Sequence, residues 1–333
     1  MQAWAAVAVE PWKVEYREVE VPDPGPQDVV VRVRHSWISN GTEGSFIRGE
    51  RIAGDTPRSD HDPLPFPHVP GYQKVGVVEQ VGSEVQGIQP GEVVFASISR
   101  VRGMFYDFGG HVSPAVTHES QIWKLPPALD SVEAAGLVLT QVGYNVGMRP
   151  QIGPREPAVV IGDGMVGQWT AQTLQARGAR VLLLGRHEER LNLWTPREGD
   201  ATLNASLQAD WLERIRAWAP EGVQVLCDTV GSLSTVEAIL PLMRHNGHIS
   251  SAGFYGHQGR IDIQALRSRE ITLHAPAGWS RSRMNITLDL VARGVLRTRH
   301  LITHRFPAAR AAEAYDLILG RREPVLGVIL DWE

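Results

Sequence analysis

The chain has 333 residues, a formal charge of −4 and a single cysteine, Cys227. That length suits two domains, and the charge gives no electrostatic reason to expect nucleic acid or an anionic membrane as partner. One cysteine excludes an internal disulfide and a cysteine-built zinc lobe. The N-terminus reaches Glu10 without a basic region, too early for a signal peptide, and no apolar run approaches the ~18–20 residues of a membrane span. The chain reads as cytoplasmic, with a small-molecule substrate as its partner.

In chain order, the first 125 residues read as β-rich. Apolar runs at Val29 to Val33, Val75 to Val81 and Glu92 to Ala96 are broken by Gly and Pro, as in a compact antiparallel domain. Five prolines between Asp55 and Gly71 (Pro57, Pro63, Pro65, Pro67 and Pro70) forbid a regular helix or central strand, so this is a long loop. Ser131 to Met148 reads as helix. After it, strands Ala158–Ile161, Arg180–Leu184, Val223–Cys227 and His248–Ala252 alternate with helices, the first of these at Met165–Arg177. Wholly apolar strands alternating with helices indicate a parallel sheet covered on both faces. Near Pro276 the rhythm changes again, to helices from about Met284 and from Pro307 and a last strand, Val325 to Leu330. The expectation is an α/β chain in which a β-rich domain (1–126) is interrupted by a doubly wound Rossmann domain (127–275), and residues 276–333 return to the first.

Gly162-Asp163-Gly164-Met165-Val166-Gly167 is a G-x-G-x-x-G turn in the required context, directly after one strand and opening a helix. The first glycine permits the tight turn, the second the approach of a pyrophosphate, the third close helix–strand packing. Next, the strand ending at Leu184 runs into Gly185-Arg186-His187 and has no acid at its tip to accept ribose hydroxyls. Arg186 there, aided by Arg190, matches a 2′-phosphate, so NADP(H) is favoured over NAD(H). Glu188 and Glu189 lie past the tip, in the following helix.

At these residues the chain resembles the medium-chain dehydrogenase/reductase superfamily over nearly its whole length. The resemblance implies a GroES-like catalytic domain beside the Rossmann domain, and most often a homodimer. Zinc-bearing members carry Cys-x-(Ser/Thr)-Asp, Gly-His-Glu and a later Cys. The matching segments here are Asn40-Gly41-Thr42-Glu43, Gly71-Tyr72-Gln73 and Gly136 ahead of Thr140, a set of amide, phenol and hydrogen that cannot hold Zn²⁺ tetrahedrally. Hence no metal is expected. Within the superfamily, Ile38-Ser39-Asn40-Gly41-Thr42-Glu43, Val69-Pro70-Gly71-Tyr72, Ala252-Gly253-Phe254-Tyr255 and the C-terminal run from Leu301 to Trp332 resemble the bacteriochlorophyllide dehydrogenase group, which oxidises a hydroxyethyl side chain of a chlorin to acetyl. Gln73-Lys74 and the longer proline loop depart from that group.

Without zinc, hydride transfer to a carbonyl needs a donor for the developing alkoxide. Tyr72 either donates to the substrate oxygen or merely fills the vacated metal space. Thr42 matches the hydroxyl that relays protons in the zinc enzymes, or forms a structural turn with Asn40 and Gly41. Glu43, grouped with them as a catalytic candidate, is expected to brace the loop against an arginine. If Tyr72 faces the pocket from a strand, Lys74 shares its face and could lower the tyrosine pKa, but a solvated lysine is the expectation. Asn40, His68 and Trp279 are the expected pocket residues. Thr140, Thr229, Gly253 and Phe254 are placed near the nicotinamide by resemblance, and Asp228 is read as a cap on local backbone. The leading function is interconversion of a secondary alcohol and a ketone; the alternatives are reduction of a conjugated C=C bond and a cofactor-binding protein with a dead pocket.

Overall fold

The computed structural model describes residues 1–333. The chain forms two compact units, Met1–Val138 with Thr298–Glu333, and Leu139–Arg297.

The first unit is built on the long strand Asp28–Ile38. Its first residues pair antiparallel with Ala115–His118, and the stretch from Val29 to Ser36 with Lys74–Val81. The last strand, Gly327–Asp331, joins antiparallel along His35 to Ile38, so the C-terminal segment belongs to this unit. These strands lie in one nine-stranded sheet. Val29, Val31 and Val33 are fully buried and pack with Val78, Val94, Ala115 and Val116 into its main core. Each such valine removed from water contributes about 1.5–3 kcal/mol. A hairpin that the sequence pattern did not single out, Gln2–Glu10 with Lys13–Glu20, turns through Trp12 at φ 67°.

The second unit is a six-stranded, wholly parallel sheet. Its order is Ala201–Asn204, Arg180–Gly185, Pro157–Ile161, Val223–Asp228, Met243–Ser251, Thr272–His274. The doubly wound arrangement reverses between Pro157–Ile161 and Val223–Asp228, which puts the crevice where such folds bind ligands at the ends of those two strands. Both edge strands escaped the sequence reading. They have three or four residues each, and their exposed positions break the apolar run that identifies a covered strand. No helix is long and apolar enough to cross a membrane.

The boundaries fall later than the 126/127 and 275/276 read from sequence. A change of rhythm marks where one pattern stops, while a unit ends where packing does. After Thr272–His274, Arg283 still donates to Gln141 Oε1 (2.7 Å), and the Arg297 carbonyl accepts from Trp169 Nε1 and Gln172 Nε2. The helical stretch 131–148 is also two helices, Ser131–Ala134 and Leu137–Met148. Between them Gly136 lies on the Trp37 ring, where a Cβ would stand 2.9 Å from it.

Lys74 corrects another expectation, since it is not in solvent. It sits fully buried on Lys74–Val81, and its Nζ donates to the Ser97 carbonyl (2.5 Å). Burial pulls its pKa down to about 7. An unfolded lysine keeps its proton to about 10.4, so the unfolded chain binds more protons between these values and stability from this group rises with pH there. In urea titrations, wild type should gain on Lys74→Met from pH 7 to 9.5, with a slope approaching about 1.4 kcal/mol per pH unit. Parallel curves would show that Lys74 does not titrate in this window.

Candidate active site and dinucleotide cradle

The glycine-rich turn bridges the strand Pro157–Ile161 and the helix Met165–Ala176. Gly162 has φ 118°, a conformation that L side chains rarely adopt, and a Cβ on it would lie 2.4 Å from Thr229 Oγ1. A Cβ on Gly167 would lie 1.9 Å from the Gly162 carbonyl oxygen. Gly164 faces open space and caps the helix without a side chain, leaving the helix N-terminus to be satisfied by an incoming anion. Met165 and Val166 continue that first turn. The cradle therefore fits a dinucleotide pyrophosphate.

At the tip of Arg180–Gly185 the backbone is tied back to this turn. Asp163 Oδ2 accepts from Arg186 N (2.7 Å), His187 N (2.8 Å) and His187 Nδ1 (3.0 Å), and Asp163 Oδ1 faces Arg190 Nη1 at 3.4 Å. Arg186 is exposed, with its guanidinium bonded to nothing in the protein. Asp163 is the residue that sequence reasoning missed, because it reaches the tip across the fold rather than along the strand.

On the far side of the crevice Asp228 caps local backbone, as its position after a strand suggests. It is buried and accepts from Val230 N, Gly231 N, Ser232 N and the Tyr255 hydroxyl. Gly253 packs on this turn so closely that a Cβ would lie 1.9 Å from Gly231 N, which brings Thr229, Gly253 and Phe254 to one place. The Thr229 hydroxyl is already committed to the Ile161 carbonyl (2.8 Å). Gly143 touches Val166 and Trp169 while Gly147 touches Thr173, so Leu137–Met148 and Met165–Ala176 run side by side in one direction. Thr140, fully buried, is then level with the glycine-rich turn. Trp279 lies half-buried in a loop tethered to Gln141 through Gly278 and Arg283.

In the first unit, Tyr72 is half-buried and its hydroxyl donates to Ser39 Oγ (2.7 Å). Burial pushes its pKa up to about 12, against its hydrogen bonds with Ser39 and Thr42, which pull it down. Two of the segments singled out in the sequence, 38–43 and 71–73, thus converge, with Ser39 as the residue that takes the phenol's hydrogen bond. Beneath lies Glu43, only 2% exposed. Its Oε1 accepts from Ser39 N (2.8 Å), and its Oε2 from His111 Nε2 (2.9 Å) and the Tyr315 hydroxyl. The expected arginine brace is therefore a histidine and a tyrosine. His111 Nδ1 is hydrogen-bonded to Ser36 Oγ (2.8 Å), which also accepts from Trp332 Nε1 (2.9 Å). Gly71, at φ 90°, makes room: a Cβ there would lie 2.5 Å from His111 Nε2.

Two expected pocket residues are engaged elsewhere. His68 is 2% exposed, bonded through Nδ1 to the Pro65 carbonyl (2.6 Å) and caged by Phe46, Phe66 and Tyr106. Burial lowers its pKa, so it is a neutral packing group, not a pocket wall. Asn40 Nδ2 donates to the Leu326 carbonyl (2.7 Å), leaving Oδ1 buried without a partner. Asn40, Tyr72 and Gly136, at the positions matching metal ligands, thus do not form a tetrahedral donor set. No group of three or more His, Cys, Asp or Glu is placed to hold a metal ion.

Comparison with known proteins bears on this architecture. The family model of the alcohol dehydrogenase GroES-like domain matches residues 25–127, and that of the zinc-binding dehydrogenases matches residues 166–293. The chain belongs to the medium-chain dehydrogenase/reductase superfamily. Within it, the sequence is similar to a 2-desacetyl-2-hydroxyethyl bacteriochlorophyllide A dehydrogenase of Cereibacter sphaeroides, 27% identical with 100% of this chain and 99% of that one covered. In fold it is similar to a candidate zinc-binding dehydrogenase of Sinorhizobium meliloti bound to NADP (TM-score 0.84, 22% identity, 100% of each chain). It is also similar to an Escherichia coli protein described as a short chain alcohol dehydrogenase complexed with NADH (TM-score 0.83, 21% identity, 99% of each chain). The protein is an oxidoreductase of the alcohol-dehydrogenase type with a nicotinamide cofactor.

The cradle makes a direct prediction. Gly167→Ala should abolish measurable dinucleotide binding, read by quenching of tryptophan fluorescence, because the new methyl meets a backbone carbonyl that cannot yield. Wild-type affinity in the variant would remove the turn from the binding site.

Proposed function

We propose that the protein interconverts a secondary alcohol and a ketone on a bulky or cyclic substrate, with NADP(H) and without zinc. The observation that carries this is the Tyr72 phenol, held by Ser39 and Thr42 at a position where zinc-bearing relatives have a metal ligand. A hydroxyl chain at that place suits a substrate oxygen that gains or loses a proton. The bulk of the substrate is supported by the relative whose name describes a hydroxyethyl group on bacteriochlorophyllide. NADP(H) is supported by the exposed Arg186 at the strand tip and the absence of an acid along that strand.

When bound, the cofactor supplies or takes the hydride. The glycine turn 162–167 would hold its pyrophosphate, and Arg186 with Arg190 would meet a 2′-phosphate. In the reductive direction Tyr72 donates its proton to the substrate oxygen as negative charge develops there. A proton from bulk water then returns to the phenolate along the Thr42 and Ser39 hydroxyls, with Ser39 now donating to the oxygen it accepted from before. Glu43 takes no proton from substrate: it anchors the Ser39 amide, and so the donor's partner, from below.

Tyr72→Phe tests the assignment. Turnover with NADPH and a bulky ketone should fall at least about tenfold, about 1.4 kcal/mol of barrier, while cofactor affinity stays unchanged. Unchanged turnover would remove Tyr72 from the mechanism. The proton to be donated is present below the raised pKa of about 12 and lost above it. The reductive rate should therefore show no titration step between pH 8 and 10.5 that is present in wild type and absent in Tyr72→Phe. A step near pH 9 behaving so would contradict a buried donor.

A further inference from the structure

The strand Arg180–Gly185 ends without an acid of its own, yet the fold delivers one to its tip. Asp163 has 7% of its side chain exposed and takes three hydrogen bonds on Oδ2, two from the Arg186 and His187 amides and one from the His187 ring. Its other oxygen faces the Arg190 guanidinium. Gly185 is needed for this approach, since a Cβ there would lie 2.6 Å from Asp163 Oδ2. Burial works to raise the carboxyl's pKa, but the two amides and His187 outweigh it and hold the group below its ordinary value, hence ionised.

We propose that Asp163 sets how strongly the site discriminates between phosphorylated and unphosphorylated dinucleotide, by standing as a fixed negative charge among Arg186, His187 and Arg190. The proposal rests on the dinucleotide reading of the glycine-rich turn. A phosphate monoester carries about −1.5 to −2 charge at neutral pH, whereas a free ribose hydroxyl carries none. Two arginines opposed by one carboxylate offer a net charge of about +1, and removal of the carboxylate doubles it. The same amide bonds fix the backbone from which Arg186 projects, so Asp163 both positions the cation and limits its pull. It acts through these neighbours, as a positioning and specificity residue rather than a catalytic one.

The test is the affinity of wild type, Asp163→Asn and Asp163→Ser for NADPH and for NADH, each by titration calorimetry at fixed ionic strength. Asparagine keeps an acceptor for the tip amides and removes only the charge; serine removes both. The ratio Kd(NADH)/Kd(NADPH) should rise about tenfold in Asp163→Asn, mainly through tighter NADPH. It should rise in Asp163→Ser also, and the gain should shrink at higher salt. A purely structural role would weaken both cofactors by one factor and leave the ratio unmoved, which would overturn the proposal alone. Wild type that binds neither cofactor would overturn the dinucleotide reading and this proposal with it.

Discussion

One buried carboxyl group, that of Glu43, ties together distant segments of the first unit. Glu43 is almost wholly withdrawn from water, a state that costs several kcal/mol for an ionised group unless donors replace the lost hydration. Those donors come from the Ser39 amide, His111 and Tyr315, far apart in sequence but joined at one point. Each buried donor left without its acceptor would cost about 1–3 kcal/mol, so the segments that carry them are held together as a set. Tyr72 bonds to Ser39, the residue whose amide Glu43 secures, and this fixes the direction of its hydroxyl. The placement of the Tyr72 hydroxyl therefore depends on a carboxyl group buried beneath it.

The same economy appears in the second unit, where Asp228 and Asp163 each bind several backbone amides at strand ends. Asp228 shapes the turn carrying Val230 and Gly231, which Gly253 then approaches at backbone contact. Asp163 ties the glycine-rich turn to the tip of the neighbouring strand. Both carboxylates lie at the carboxyl ends of parallel strands, where the doubly wound sheet reverses and its ligand site is built.

Much of this was legible in the sequence where the signal is local. Covered strands such as Val181 to Leu184 announce themselves by being apolar throughout, and the glycine-rich turn by its spacing and context. The edge strands Ala201–Asn204 and Thr272–His274 did not, because a short edge strand needs few buried side chains. Long-range pairing was the other blind spot. Nothing near Asp163 says that it reaches Arg186, and nothing near His111 ties it to Glu43. Lys74 was misread for a related reason: alternation gives the face of a strand, but not whether that face is covered. His68 was misread because a histidine beside a proline-rich loop looks like a wall, until the aromatic rings that enclose it are known.

Ketone reduction through the Tyr72 phenol, the function proposed above, would put the transferred hydride on a carbonyl carbon. The most direct measurement uses NADPH deuterated at the transferred position of C4, with a panel of bulky ketones and enones, and locates the deuterium in the product by NMR. Ketone reduction leaves deuterium on the carbinol carbon. Deuterium on the β-carbon of an enone, with ketones untouched, would contradict it and make the protein a reductase of conjugated C=C bonds.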